Sequence, residues 1–304
     1  MIAQLAPGHD VVALPVPLGI RLRDTATARF VGSGVDVGVE RAVAAARRHV
    51  LAPTPSGHWV NQGVLGELRS LPADPAAWPA NRRAFRIAVD DPSGQYLPLR
   101  LVGDLPVNGT LVWGGWPALP AADYGPLMPA GAAQGFKPAW LPLFPSSAYS
   151  AGPLARVHAH LALRDPATGA LVDAAWALVK VSLGARVIGL GLADAGGAVG
   201  VFFPYPLLPD LTPQQKTQGR PVAGWDVTIA VHCTGLGKPG DAAVVPDLAA
   251  ILAQLAQPAR RALRTTAAAL PALGVQRLLL GTPLVLRSES PPGTRKSSLY
   301  LNNP

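Results

Sequence analysis

The chain has 304 residues and a formal net charge of +8, with 49% hydrophobic but only 14% charged residues. This length accommodates two domains, each able to bury a core. With 32 Gly and 33 Pro residues, the composition excludes a helical bundle and favours short strands joined by turns. The charged fraction is well below the usual value of about 25%, which indicates that part of the surface faces protein rather than water; an Ala-rich coding bias is the alternative explanation.

The one cysteine, Cys233, excludes an internal disulfide framework and fits a reducing compartment. The first ten residues lack the basic start and apolar core of a signal peptide. The apolar stretch 187–208 is divided by Asp194 and by several Gly and Pro residues, so we do not interpret it as a membrane span. We expect a bacterial cytoplasmic location, free or within a particle.

Residues 1–106 are predicted to form a first β-sandwich module. Two Pro residues within 13–20 favour an edge or entry strand there. Residues 34–39 alternate strictly and predict a strand with Val on one face. Residues 85–89 and 95–102 predict a hairpin around the turn residues between them.

The densest basic group of the chain lies within this module and comprises Arg41, Arg47, Arg48 and His49. The basic residues of the chain are mostly Arg and lack interleaved Lys clusters, which makes a poor nucleic-acid signature. We interpret the group as a solvated face or an Arg-rich interface, and we expect no nucleic-acid partner.

Residues 107–153 are predicted to be a Pro-rich and aromatic-rich linker or docking arm. A long loop without regular structure is uncommon in a compact domain and is often functional. Its aromatic content favours burial, along both modules or in a neighbouring protein, over disorder. The candidate interaction residues are Trp113, Trp116, Phe136, Trp140, Phe144 and Tyr149.

Residues 154–240 are predicted to form a second β-sandwich module. Residues 157–162 alternate with the period of a two-faced strand. A second apolar run, 171–183, follows turn residues at 165–169. Residues 225–232 alternate again and predict the last strand of this module.

Residues 241–304 are predicted to hold a helix, terminal strands and a tail. The helix begins at the N-cap Asp247, since apolar residues follow it at helical spacing, and Pro258 breaks or kinks it. Residues 260–270 can continue as a second helix. Strands are predicted at 276–280 and 283–287. The tail is a flexible end or a strand added to a partner sheet.

The turns of the second module carry a family resemblance. Asp-Pro-Ala-Thr-Gly at 165–169 and Asp-Ala-Gly-Gly at 194–197, each between strands, resemble the hairpins of the carboxypeptidase regulatory-like (transthyretin-like) β-sandwich. A weaker copy lies upstream, where residues 22–27 align with 163–168 and residues 90–98 echo the second hairpin. The resemblance implies two such sandwiches. Convergent use of Asp and Gly in turns is the alternative.

Histidines give the best candidate for a metal site. His158 and His160 lie two residues apart on a predicted strand, so their side chains share one face. The sequence offers no clear third ligand, although His232 can approach in space. We therefore assign no metal, and two histidines on a solvent face are the simpler interpretation.

Other chemistry-bearing residues have structural explanations. Asp90, Asp91 and Asp194 are predicted to stabilise turns rather than to act as paired acids. Cys233 and its neighbour His232 point to opposite faces of a strand, which leaves a buried core cysteine. The glycines around Gly189 and Gly191 lack the spacing of a dinucleotide-binding loop.

The sequence therefore predicts a mainly β protein with two transthyretin-like or immunoglobulin-like sandwiches and a C-terminal helical segment. We expect no enzymatic activity and no cofactor. The expected function is structural, through contacts with other subunits of a large particle such as a phage-tail-like contractile injection system, and self-association is possible in such a role. The alternative is a sugar- or peptide-binding module in which exposed Trp59, Trp113, Trp116 and Trp140 form a stacking platform.

Overall fold

The computed structural model describes residues 18–42, 47–61, 84–104, 111–117, 121–128, 132, 136–150, 152–164, 169–207, 224–236, 244–262, 275–288 and 298–302. The protein is mainly β and of sandwich type, as the sequence predicts. Among the described residues, no helix is long and apolar enough to cross a membrane.

The first eight described strands form two four-stranded sheets. They are β1 (Gly19–Asp24), β2 (Asp36–Arg41), β3 (His49–Val50), β4 (Ala52–Pro53), β5 (His58–Val60), β6 (Ala84–Asp90), β7 (Leu99–Asp104) and β8 (Leu141–Leu143). One sheet has the order β4–β5–β1–β8 and the other the order β3–β2–β6–β7. Apolar residues from both sheets meet in one buried cluster, so the two sheets form a sandwich.

Strand β1 shows how the sequence pattern builds this sandwich. Ile20 and Leu22 are fully buried, whereas Arg21 and Arg23, which alternate with them along the strand, face outward, as the two-residue period of a strand requires. The described end of the edge or entry strand predicted at 13–20 lies in β1, where Gly19 and Ile20 pair with β5; β8 pairs with β1 further along, at residues 22–24. Residues 13–17 lie outside the described residues.

The second sandwich is built around a long strand, β9 (Leu154–Arg164). The other strands are β10 (Leu171–Asp173), β11 (Leu178–Leu183), β12 (Arg186–Leu192), β13 (Ala198–Pro204), β14 (Gly224–His232), β15 (Arg261–Ala262), β16 (Gln276–Leu279), β17 (Leu284–Leu286) and β18 (Leu299–Asn302). One sheet has the order β12–β11–β14–β16. In the other, β9 pairs with β10, β13, β17 and β18, and β15 pairs with β18. A second buried cluster fills the space between these sheets.

The sheet β12–β11–β14–β16 has apolar residues on both faces. Val179 and Val181 of β11 point into the second core. Leu178, Leu190 and Leu192 belong instead to the cluster that contains the core of the first sandwich. This double burial explains why β12 has no polar side chain after its first residue, Arg186. The two sandwiches are consequently joined by packed side chains.

The predicted helix is confirmed as α1 (Leu248–Ala253), which continues into a short 3₁₀ helix (Gln254–Ala256). The Asp247 carboxylate caps α1 by accepting a hydrogen bond from the Ala249 amide at 2.8 Å. It also accepts one at 2.8 Å from the Val102 amide on β7, which ties the helix to the edge of the first sandwich.

Two expectations for the C-terminal part need correction. The second helix at 260–270 is wrong at its described end, because Arg261–Ala262 pairs with β18 as a strand. The terminal strand Leu299–Asn302 lies in the protein's own sheet, parallel to β9, rather than in a partner sheet. The strands predicted at 276–280 and 283–287 are confirmed as β16 and β17. Residues 263–270 lie outside the described residues.

A hydrogen-bonded tyrosine cluster connects the two sandwiches. Tyr149 donates a hydrogen bond of 2.6 Å to the buried Asp24 carboxylate at the end of β1. The Tyr149 ring lies 5.5 Å from that of Tyr96 and 5.1 Å from that of Phe202 on β13, measured between ring centroids. Burial, with the charge of Asp24, raises the pKa of Tyr149 and raises that of Tyr96 to about 12.

These shifts predict that the protein loses stability in strong alkali. Above pH 10, tyrosines of the unfolded chain release protons that Tyr96 and Tyr149 retain in the folded protein, so the unfolded state binds fewer protons. The free energy of unfolding should therefore fall as the pH rises from about 10 to 12. Urea unfolding across this range measures the fall. Tyr96→Phe should reduce the slope of this fall relative to the wild type, and a slope equal to that of the wild type would contradict the assignment.

Candidate functional site

Four of the six predicted interaction residues are buried by the chain itself: Trp113, Trp116, Phe144 and Tyr149. The Trp113 ring stacks edge-on against Trp116, and Trp116 against Tyr124, with centroid distances of 5.8 and 5.4 Å. The Trp113 indole N–H also points to the Val102 carbonyl, with 3.3 Å between nitrogen and oxygen. These rings form the contact between the first sandwich and its covering segments, so they present little surface to a partner.

These aromatic residues are buried because the described parts of the segment 107–153 pack against the two sandwiches. Strand β8 pairs in parallel with β1, and a 3₁₀ helix (Ala121–Leu127) packs against β12. Trp59 is buried as well and donates its indole N–H to the Val31 carbonyl at 2.9 Å. The expected platform of four exposed tryptophans is therefore wrong for Trp59, Trp113 and Trp116, because their large apolar area is used in the core.

Of the two remaining candidates, Phe136 is exposed and Trp140 is half-buried. Together with Phe30, Arg21 and Arg23 they form what we call the aromatic–arginine face. Phe30 and Phe136 are each 40% exposed. Ring centroids lie 6.1 Å apart for Phe30 and Trp140 and 6.2 Å apart for Phe136 and Trp140. These separations are those of aromatic pairs in contact.

Both arginines of the face lie over aromatic rings. The Arg21 guanidinium carbon is 3.6 Å from the centroid of Phe30, and that of Arg23 is 4.8 Å from Trp140. Such cation–π contacts hold planar cations and rings together at a surface. Arg21 and Arg23 reach this position because they alternate with the buried Ile20 and Leu22 of β1.

A tight turn after β1 places Phe30 on the same face. The Asp24 carboxylate accepts hydrogen bonds from the Ala26 amide at 2.8 Å and the Thr27 hydroxyl at 2.6 Å. The Ala28 amide then bonds to the Asp24 carbonyl, and Phe30 pairs back onto Arg23. The Asp24 carboxylate thus binds donors of the turn and the Tyr149 hydroxyl, and it forms no ion pair with the arginines of the face.

The electrostatic character of the face is basic. Burial lowers the pKa of Arg23, and the Nε atom of Arg21 is buried without a hydrogen-bond partner. Exposed Arg29 and Lys137 lie next in sequence to Phe30 and Phe136. Among the described residues, no carboxylate forms an ion pair with Arg21 or Arg23. The site therefore combines flat apolar rings with positive charge, which suits a ligand surface that carries apolar groups and carboxylates.

Sequence reasoning found Phe136 and Trp140 but missed Phe30, Arg21 and Arg23. The alternation of arginines with buried residues along β1 is the signal that could have placed Arg21 and Arg23 on an outer face.

The two histidines on β9 do not share a ligand geometry. The His158 ring packs against Phe202, with centroids 5.6 Å apart, and burial lowers its pKa. His160 contacts the Ser298 hydroxyl at 3.0 Å and the Asp173 carboxylate at 3.7 Å. Within the part of the chain that the structure describes, no group of three or more metal-ligating side chains is present.

The turn interpretation is confirmed for two of the three aspartates. The Asp91 carboxylate accepts the Ser93 and Tyr96 amides, and Asp194 accepts the Gly196 and Ala198 amides. Asp90 differs. It is the last residue of β6, and its carboxylate binds two arginine side chains rather than the backbone of a turn.

The remaining candidates have packing roles. Cys233 is a buried free cysteine in the second core, as predicted, and burial raises the pKa of its thiol. Gly189 and Gly191 leave room for β13: an added Cβ would lie 2.5 Å from Phe203 and 2.8 Å from Val201, respectively. The turn residues 165–168 lie outside the described residues.

No protein-family model, curated protein or solved structure matches the chain. The resemblance to the carboxypeptidase regulatory-like sandwich stays a prediction from the turn residues. The aromatic–arginine face is consequently interpreted from its own geometry and charge.

Proposed function

We propose that this protein is a non-enzymatic assembly subunit that binds another protein through the aromatic–arginine face. The observation that carries the proposal is a set of three aromatic rings held at the surface by two arginines. Aromatic residues and arginine are enriched at the centres of protein interfaces, where flat rings supply contact area at low entropic cost. The low charged fraction of the chain, 14%, also favours a role within an assembly.

The charge of the face favours a different protein over a second copy of this chain. A symmetric contact between two copies would bring Arg21 and Arg23 against the same arginines of the partner. The chain as a whole carries a net charge of +8, which adds to that repulsion. We infer a partner surface with apolar pockets for Phe30 and Phe136 and carboxylates opposite the arginines.

The alternative of a sugar- or peptide-binding module with a tryptophan platform has lost most of its basis. It required four exposed tryptophans, and three of them are buried in the core. We propose a phage-tail-like contractile injection system as the particle, because the chain has a low fraction of charged residues and small sandwich domains. Such domains can serve as decorating or plugging elements of a baseplate or cap.

Phe136→Glu should abolish incorporation into the particle without unfolding the protein. The side chain is 40% exposed, so the substitution should change the free energy of unfolding by less than about 0.5 kcal/mol. A carboxylate at this position would repel the proposed acidic partner surface. The measurement is affinity purification of tagged wild type and variant from the native host, followed by mass spectrometry and negative-stain imaging.

Leu171→Glu provides the matched control, because Leu171 has the same 40% exposure but lies on β10. It should co-purify with the same particle as the wild type. Loss of the particle in both variants, or in neither, would contradict the assignment to this face. Recovery of the wild type as a lone monomer would overturn the assembly role itself.

A further inference from the structure

A basic pocket opens where the edges of the two sheets of the first sandwich meet. Strand β3 is the edge of one sheet and β4 the edge of the other, and they follow each other in the chain. The pocket has a volume of about 370 Å³, within the range of small-molecule sites. The residues that matter for its chemistry are Arg47, Arg48, His49, Val50, Val60 and Asn61.

One arginine of the pocket is held in a fixed position. The Arg48 side chain passes directly over Gly38, where an added Cβ would lie 2.2 Å from its Nε. One Arg48 terminal nitrogen is 3.2 Å from the Asp90 carboxylate. A larger residue at position 38 would displace this side chain, so the glycine helps to position the cation.

The pocket retains positive charge after its internal pairing is counted. Asp90 is shared, since Arg100 binds its other carboxylate oxygen at 2.6 Å. On neighbouring β2, Glu40 faces Arg86 at 3.8 Å. Among the residues that line the pocket, the charge of Arg47 and part of the hydrogen-bonding capacity of Arg48 therefore stay available to a ligand, and His49 adds further donor capacity.

Asn61 supplies a second, independent observation. It lines the pocket and is 4% exposed, and its amide nitrogen is buried without a hydrogen-bond partner. Leaving such a donor unpaired is costly, and buried amides in folded proteins are normally satisfied. Because Asn61 belongs to the pocket lining, a ligand oxygen that reaches its amide nitrogen would supply the missing partner.

We propose that this pocket binds a small organic anion through its phosphate or carboxylate group. Guanidinium groups match the geometry of both oxyanions, and the Asn61 amide donates to the same group. Val50 and Val60 form an apolar wall against which a compact apolar body of the ligand packs. This site is separate from the aromatic–arginine face, so either proposal can fail without the other.

Isothermal titration calorimetry of the full chain tests the proposal with three probes. Each carries one phenyl ring: phenyl phosphate, benzoate and the neutral benzyl alcohol. At least one anion should bind saturably and at least tenfold more tightly than the alcohol. Binding of phenyl phosphate alone assigns an organic phosphate, of benzoate alone a carboxylate, and of both the shared oxyanion chemistry. Absence of saturable binding by either anion, or equal binding of the alcohol, overturns the proposal.

Charge substitutions at Val50 locate the binding. This residue is 71% exposed, so both Val50→Glu and Val50→Lys should fold normally. The glutamate should weaken anion binding about tenfold or more, while the lysine should preserve or strengthen it. Asn61→Leu should also weaken binding and leave the melting temperature equal or higher, since it removes an unpaired buried donor. Identical affinities for the two Val50 variants would overturn the assignment.

Discussion

Replacement of Trp113 by Ala should lower the free energy of unfolding by about 3–5 kcal/mol, the usual cost of deleting a large buried aromatic side chain. Only 2% of Trp113 is exposed, and its ring contacts Trp116. Deleting it would open a cavity in the cluster that contains residues of both sandwiches. The same change would leave the Val102 carbonyl without its indole donor.

Urea unfolding followed by circular dichroism measures this effect. Phe136→Ala, an aromatic deletion at an exposed position, is the control and should change the free energy of unfolding by less than about 0.5 kcal/mol. Equal stability losses in the two variants would show that Trp113 does not lie in the core.

Replacement of Gly197 by Ala should destabilise the protein much more than the same change at Gly34. Both glycines have a left-handed backbone, with φ of +80° and +82°, which costs about 1–2 kcal/mol for a residue with a Cβ. At Gly197, however, the new Cβ would lie 2.4 Å from the Leu161 carbonyl oxygen, whereas nothing lies within 4 Å at Gly34. The clash adds about 1–3 kcal/mol at position 197.

The clash matters because Leu161 is central to the second sandwich. Its amide bonds to the Gly197 carbonyl, and its own carbonyl accepts the Ala174 amide. Neither backbone group can move aside without loss of a hydrogen bond. Thermal unfolding of the two alanine variants measures the difference, and equal melting temperatures would contradict the close approach at Gly197.

Local rules allowed much of the fold to be predicted. Alternation located β2, β9 and β14, and the N-cap Asp247 with its helical spacing located α1. Turn chemistry at Asp91 and Asp194 was also predictable, since a carboxylate followed by Gly or Ser bonds its own backbone. These features depend on residues that lie a few positions apart in the sequence.

The functional candidates were harder because their exposure depends on distant segments. In the sequence, Trp113 and Trp140 are equally plausible surface residues of a Pro-rich stretch. In the structure, Trp113 packs against Gly103 and Gly115, whereas Trp140 contacts Arg23 of β1. Nothing local distinguishes them. The basic pocket was visible only as a cluster of Arg and His, because its walls come from the edges of two different sheets.

The pairing of β9 has a consequence for how the protein is made. One flank of β9 pairs with β13 and β10, whereas the other pairs in parallel with β17 and β18, near the end of the chain. At ordinary translation speeds, β18 leaves the ribosome on the order of 10 s after β9. During that interval, one edge of the strand has no partner. The second sandwich therefore closes after synthesis of its last strand, and the nascent chain must be protected from edge-to-edge aggregation until then.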